Sequence, residues 1–169
     1  PWCVKKCPYC DFNSHTFATG LPEQAYLDAL RADLQQQLPQ IWGRRIISVF
    51  IGGGTPSLFS AEAMQQLISM IKTHLNCLPT MEVTMEANPG TVEYARFAEY
   101  RAAGVNRLSI GVQSFTDDAL QRIGRIHDGA QAMAAYAAAH KAGFERINLD
   151  LMFGLPGQSE AQALDDLEQ

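Results

Sequence analysis

Short apolar runs alternate with helical patterns along the chain, and this alternation limits the fold more than any other feature. The runs over 46–51, 81–86, 107–112 and 146–151 predict strands, and segments with the apolar period of a helix lie before, between and after them. Alternation in steps of roughly 30 residues predicts right-handed βαβ units and a parallel sheet. Two architectures fit this pattern, an open doubly wound sheet and a barrel.

Local signals predict where the helices begin and end. The first helix is expected to begin near Pro22 and to stop at Pro39, because proline cannot continue a helix. Ser60 is a predicted N-cap, and Ser159 with Gln162 has the pattern of a capping box. The strand over 46–51 is expected to be buried, since most of its side chains are apolar.

Composition describes a chain of 169 residues with 47% hydrophobic residues, which is enough for one domain with a core. No apolar run approaches the roughly 20 residues of a membrane span. The net charge of −5 disfavours a nucleic-acid partner. No signal peptide precedes the cysteines, and a cytoplasmic location is expected. Because the chain opens on Pro1 and a helical pattern still runs at Gln169, it is interpreted as a fragment.

Three of the four cysteines, Cys3, Cys7 and Cys10, lie in the first ten residues with the spacing C-x3-C-x2-C. Thiolates this close can converge on one metal centre. A cubane iron–sulfur cluster takes one thiolate per iron, so three cysteines would leave one iron open to a ligand. The alternatives are a zinc site completed by a histidine such as His15, or three unrelated thiols. The fourth cysteine, Cys77, is expected to be a small structural thiol.

Polar side chains end three of the predicted strands. Glu86, Gln113 and Asp150 each lie at or just after a strand's carboxyl end, the edge where parallel sheets bind ligands. These residues are therefore expected to share one site. The glycines before Thr55 would let a ligand approach the backbone, but no Lys-Ser/Thr follows, so a Walker A loop is excluded.

Other residues have simpler interpretations. Arg125 lies where a helix breaks, and its planar group suits a carboxylate. His127 nearby is expected to lie in a surface loop. Trp2 and Trp42 are both expected to be packing residues.

Five motifs stand in one order and together resemble a single group of radical S-adenosylmethionine (SAM) proteins. The group holds the oxygen-independent coproporphyrinogen III dehydrogenases and the HemW-type heme chaperones. The resemblance covers essentially the whole chain. It implies an α/β fold, a partial (β/α)6 TIM-like barrel truncated before its first strand and after about five repeats. Residues 1–169 would be the radical SAM core domain, with the C-terminal domain absent. The motifs are the cysteine spacing, GGGTPS from Gly52, EANP from Glu86, GVQSF from Gly111 and DLMFGLP from Asp150.

The resemblance also implies ligands. Cys3, Cys7 and Cys10 would hold a [4Fe–4S] cluster whose open iron binds SAM, and Tyr9 would contact the adenine. With an electron donor as partner, reduction of the sulfonium would give a 5′-deoxyadenosyl radical. The residues implied in SAM binding are Tyr9, Gly53, Gly54, Thr55, Glu86, Gln113, Arg125 and Asp150.

Phe12 distinguishes two branches of the group. The dehydrogenases have another cysteine at this position, two places after the third, whereas C-x-F resembles the HemW branch. The segment from Gly124 to His127 resembles that branch too. The resemblance therefore implies a chaperone with heme as cargo and heme-acceptor proteins as partners. A coproporphyrinogen III dehydrogenase that turns propionate groups into vinyl groups, and a zinc-stabilised barrel without redox chemistry, are the alternatives, so enzyme activity stays open.

Overall fold

A computed structural model describes residues 1–16 and 20–169, with the backbone alone at Thr91 and Val92. Four parallel strands form the main sheet in the order β3-β4-β5-β6, and a small parallel ladder, β1-β2, lies apart from it. All four predicted apolar runs are strands of the main sheet. The strands are β1 (Trp2–Cys3), β2 (His15–Thr16), β3 (Arg45–Ile51), β4 (Asn76–Ala87), β5 (Arg107–Gln113) and β6 (Arg146–Leu151).

Helices fill every connection between the strands of the main sheet, as the alternation predicts. A short 3-10 helix, Pro56–Leu58, follows β3. The helices are α1 (Glu23–Ile41), α2 (Ala61–His74), α3 (Thr91–Ala95), α4 (Phe97–Ala103), α5 (Asp117–Arg122), α6 (Gly129–Lys141) and α7 (Glu160–Glu168).

The two faces of the sheet differ in polarity. On one face, alternate residues of β4 and β5 such as Val83, Met85 and Leu108 are fully buried in a core that includes residues of α2, α4 and α6. The residues between them, such as Glu86 and Ser109, face a cavity instead. A doubly wound sheet carries helices on both faces, so the one-sided packing is that of a barrel wall. The structure is an α/β fold with a parallel sheet, and a partial barrel fits it.

The predicted caps are confirmed, whereas the predicted end of the first helix is wrong. Ser60 Oγ accepts the N–H of Ala63 at 3.1 Å, and Ser159 with Gln162 forms a complete capping box. Pro39 lies inside the last turn of α1, which ends two residues later at Ile41. The helix tolerates proline there because only one hydrogen bond near its end is lost.

Strand β3 is more exposed than its sequence predicts. Ile47 is 66% exposed and Phe50 60% exposed. Among the described residues β3 pairs with β4 only, so one of its edges carries no neighbouring strand. Within that same part of the chain, no helix is long and apolar enough to cross a membrane.

Candidate functional site

A cavity of about 190 Å³ lies at the carboxyl ends of the strands, between the polar face of the sheet and the cysteine loop. All eleven residues predicted for the site line this cavity, although their roles as ligands remain predictions. A second cavity of about 250 Å³, between α1, β3 and α2, has mainly apolar walls. The predicted residues at the first cavity are Cys3, Cys7, Tyr9, Cys10, Gly53, Gly54, Thr55, Glu86, Gln113, Arg125 and Asp150.

Two glycines let the cysteine loop approach the sheet. A Cβ at Gly54 would lie 2.5 Å from the carbonyl oxygen of Trp2, so only glycine permits β1 to pass here. A Cβ at Gly124 would lie 2.7 Å from Cδ of Pro8, and its φ of 73° also favours glycine. These two close approaches hold both ends of the Cys3–Cys10 segment against the barrel wall.

Side chains at the start of the chain fix the same segment. The ring of Trp2 packs 5.1 Å from that of Tyr26 and 5.8 Å from that of Phe59, which confirms its predicted packing role. Within the loop, the N–H of Cys10 donates to the carbonyl of Cys7 at 3.1 Å. Trp42, by contrast, is 81% exposed, so the prediction that it packs is wrong.

Arg125 joins the cysteine loop to the sheet. Its Nη1 lies 3.6 Å from Sγ of Cys7 and 3.4 Å from the hydroxyl of Tyr9, and its Nη2 donates to Asn88 Oδ1 at 2.7 Å and to the carbonyl of Gly111 at 2.8 Å. Its Nε is buried without a hydrogen-bond partner among the described residues. No ion pair within the described residues joins it to a carboxylate, but burial raises the pKa of the nearby Glu93 and the positive charge of Arg125 opposes this rise.

Two carboxyl groups, of Glu86 and Asp150, also line the cavity. Glu86 Oε2 accepts the N–H of Gly53 at 2.9 Å, and Asp150 accepts hydrogen bonds from Ser109 Oγ and Asn148 Nδ2. Burial raises the pKa of Glu86, the Gly53 N–H opposes this rise, and the negative charge of Asp150 adds to it. The cavity therefore carries both signs of charge, with a cation beside Cys7 and two carboxyl groups at the strand ends.

Gln113 ends β5 in an unusual backbone conformation. Its φ of 69° is the one positive value at a non-glycine residue in the described part of the chain. A Cβ at Gly111 would lie 2.8 Å from Nε2 of Gln113 and 3.6 Å from Nη2 of Arg125. A side chain at Gly111 would therefore displace the amide of Gln113, whereas Arg125 would only come into ordinary van der Waals contact with it.

Sequence reasoning missed several polar residues of the cavity. Asn88 bridges Thr55 and Arg125, since its Nδ2 donates to Thr55 Oγ1 at 3.3 Å. Ser109 and Asn148 position the carboxylate of Asp150. The signal was present, because Asn148 and Asp150 are two residues apart and strand residues two apart share a face.

Two further predictions concern histidines and metal ligands. His127 is not in a surface loop as predicted: it is only 5% exposed, because its ring packs against the end of β5 and Nε2 lies 3.0 Å from the carbonyl of Val112. His15, the proposed zinc ligand, is exposed in β2. Over residues 1–16 and 20–169, no three His, Cys, Asp or Glu side chains are grouped to hold a single metal ion. A cubane cluster needs no such grouping, because each thiolate binds its own iron.

The comparison with protein families identifies the superfamily of the chain. The family model described as "Radical SAM superfamily" matches residues 1–169. The chain belongs to the radical SAM superfamily. Membership of the radical SAM superfamily implies a [4Fe–4S] cluster and SAM as cofactors.

Two similar radical SAM relatives carry the name heme chaperone HemW. The protein of Haemophilus influenzae is 54% identical over 173 residues, covering all of this chain and 45% of its own length. That of Escherichia coli is 52% identical over 169 residues, again covering all of this chain and 45% of its own length. The chain thus spans less than half the length of the curated relatives it matches.

A solved radical SAM structure has the same fold. Its title is "Coproporphyrinogen III oxidase (HemN) from Escherichia coli is a Radical SAM enzyme". The two match with a TM-score of 0.86 and 29% identity over 99% of this chain and 39% of the other. The partial barrel deduced from the polar sheet face agrees with this match.

Proposed function

We propose that this chain is the cluster- and SAM-binding core of a heme chaperone. The observation that carries the proposal is the convergence of three cysteines, the Arg125 guanidinium group and two carboxyl groups on one cavity. Relatives named heme chaperone HemW, at 52–54% identity over the whole chain, supply the function. Heme is the cargo, and the partners are heme-acceptor proteins and an electron donor.

The residues of the cavity fit the proposed cofactors chemically. All four cysteines are free thiols, so Cys3, Cys7 and Cys10 are available as ligands. Three thiolates would hold the [4Fe–4S] cluster and leave one iron for SAM. The buried, unpaired Nε of Arg125 is the kind of group that a bound ligand satisfies, because an unpaired buried donor is costly.

Each remaining residue has a task that follows from its charge and position. Arg125 binds the carboxylate of the methionine moiety, since guanidinium groups pair with carboxylates. Glu86 and Asp150 accept hydrogen bonds from an ammonium group or from ribose hydroxyls. The exposed backbone at Gly53 and Gly54 allows close approach of the ligand, and Tyr9, with Gln113 and Thr55, completes the walls. When bound, the cluster supplies one-electron reduction of SAM.

Phe12 favours a chaperone over an enzyme. It lines the cavity beside Cys10 at the position where the dehydrogenases of the group have a further cysteine. The second candidate, a coproporphyrinogen III dehydrogenase, has in its favour only the 29% identity to the HemN structure. Residues 1–169 would form the core domain, and the remaining length of the longer protein would form another domain. The clustered free thiols favour the cytoplasm as location.

The test is anaerobic reconstitution of the full-length protein with iron and sulfide, followed by titration with SAM and with heme. We expect a brown protein with four irons per chain that binds both ligands and does not turn over coproporphyrinogen III. Turnover of coproporphyrinogen III would favour the dehydrogenase. Zinc in place of iron and sulfide would refute the cluster, and a loaded protein that binds no heme would refute the chaperone.

A further inference from the structure

The end of β5 is held by two side chains from the loop between α5 and α6 as well as by its pairing with β6. The pairing of β5 with β6 shifts between Ile110 and Gln113, so the regular ladder is interrupted here. Three successive carbonyls of this segment each accept a hydrogen bond from another part of the chain. The bonds are Arg125 Nη2 to Gly111 O at 2.8 Å, His127 Nε2 to Val112 O at 3.0 Å and Met152 N to Gln113 O at 2.8 Å.

Arg125 lines the cavity, whereas His127 and Met152 do not, and of these two only His127 bonds through its side chain. The ring of His127 is only 5% exposed, and it does not line the site. A carbonyl oxygen can only accept, so the Nε2–H of His127 must donate to Val112. In the neutral ring Nδ1 is then an acceptor, and it has no partner among the described residues. The ring therefore makes a single directed hydrogen bond, to the strand end.

That hydrogen bond lies next to the one strained non-glycine residue of the described chain. Gln113 has a φ of 69°, a conformation that persists only when the surroundings enforce it. The bonds to the carbonyls of Val112 and Gln113 enforce it from both sides. If the Val112 bond is lost, Gln113 can relax to a negative φ and its side chain leaves the cavity.

We propose that His127 is a positioning residue of the site, which holds the end of β5 so that Gln113 faces the ligand. This inference rests on the proposed function for the identity of the ligand, SAM, but not for the geometry. It assigns a role to a histidine that touches neither the cysteines nor the cavity. Only the side chain of His127 turns inward in this segment, since Ile126 and Asp128 on either side of it are exposed.

The experiment compares His127→Leu with His127→Gln in the full-length, anaerobically reconstituted protein. Glutamine can place an N–H near the position of Nε2, whereas leucine cannot. We expect His127→Leu to weaken SAM binding at least tenfold in isothermal titration with iron content unchanged, and His127→Gln to stay within about threefold of wild type. Phe144→Leu, a core change on the helix side of the sheet, serves as the stability control.

Three results would overturn the inference. The first is wild-type SAM affinity in His127→Leu. The second is an equal loss of SAM affinity in the leucine and glutamine variants. The third is an equal loss of SAM affinity in Phe144→Leu, compared at matched thermal stability. If the wild-type protein itself binds no SAM, the proposed function fails but the geometry is still tested. Hydrogen–deuterium exchange over 107–115 must then be faster in His127→Leu than in His127→Gln, and equal rates would refute the role of His127.

Discussion

Arg125 donates to acceptors from three segments of the chain, so its guanidinium group is held in one orientation beside Cys7. Lysine would keep the charge, but its single nitrogen cannot take the places of both Nη1, beside Cys7 and Tyr9, and Nη2, which donates to Asn88 and Gly111. We expect Arg125→Lys in the full-length protein to weaken SAM binding at least tenfold in isothermal titration. Arg122→Lys is the matched control, since Arg122 is exposed and outside the cavity. Equal affinities in the two variants would show that charge alone suffices.

The buried imidazole of His127 makes the stability of the folded chain depend on pH. Burial lowers the pKa of His127 from 6.5 to about 4, and the charge of Arg125 adds to this. Between these two pKa values, His127 binds a proton in the unfolded chain but not in the folded chain. The free energy of unfolding therefore falls as the pH drops from about 6.5 to about 4. The loss is at most about 3 kcal/mol. His127→Gln should therefore lose less stability than wild type between pH 7 and pH 5 in urea titrations. Parallel losses would contradict this assignment.

At the scale of elements, β1 depends on a glycine in the loop after β3. A Cβ at Gly54 would meet the carbonyl oxygen of Trp2 at 2.5 Å, and backbone atoms cannot move aside cheaply. Gly54→Ala is expected to displace β1 and the cysteine loop but to leave the main sheet intact. The measurement is iron per chain after reconstitution, with far-ultraviolet circular dichroism to follow the sheet. Gly20→Ala is the control, because a Cβ at Gly20 meets nothing within 4 Å. Full iron content in Gly54→Ala would disprove the steric argument.

Elements with local causes could be predicted from the sequence, and contacts between distant segments could not. The N-cap at Ser60, the capping box at Ser159 and the strands depend on neighbouring residues, so their patterns are readable. The rim residues Glu86, Gln113 and Asp150 follow from the rule that parallel strands end at one edge. The buried position of His127 depends on a bond to β5, and the bridge of Asn88 depends on Thr55 and Arg125. Neither arrangement leaves a periodic trace in the sequence.

At the scale of the whole molecule, the two edges of the main sheet differ in chemistry. The edge strand β6 carries exposed charged residues, Arg146 and Asp150, which oppose pairing with another strand. The other edge strand, β3, presents Ile47 and Phe50, each at least 60% exposed. Unpaired backbone groups beside exposed apolar side chains form a template for association.

The 169-residue chain is therefore expected to self-associate through β3. Ile47→Lys places a charge at this edge and should shift the chain toward the monomer in light scattering coupled to size exclusion. Arg146→Lys, which keeps the charge of the β6 edge, should leave the distribution unchanged. A wild-type chain that is monomeric at tens of micromolar, or an Ile47→Lys chain that associates as strongly as wild type, would contradict this prediction. If Ile47→Lys abolishes the association, the contact lies on β3. An effect through the cavity is not involved, because Ile47 does not line it.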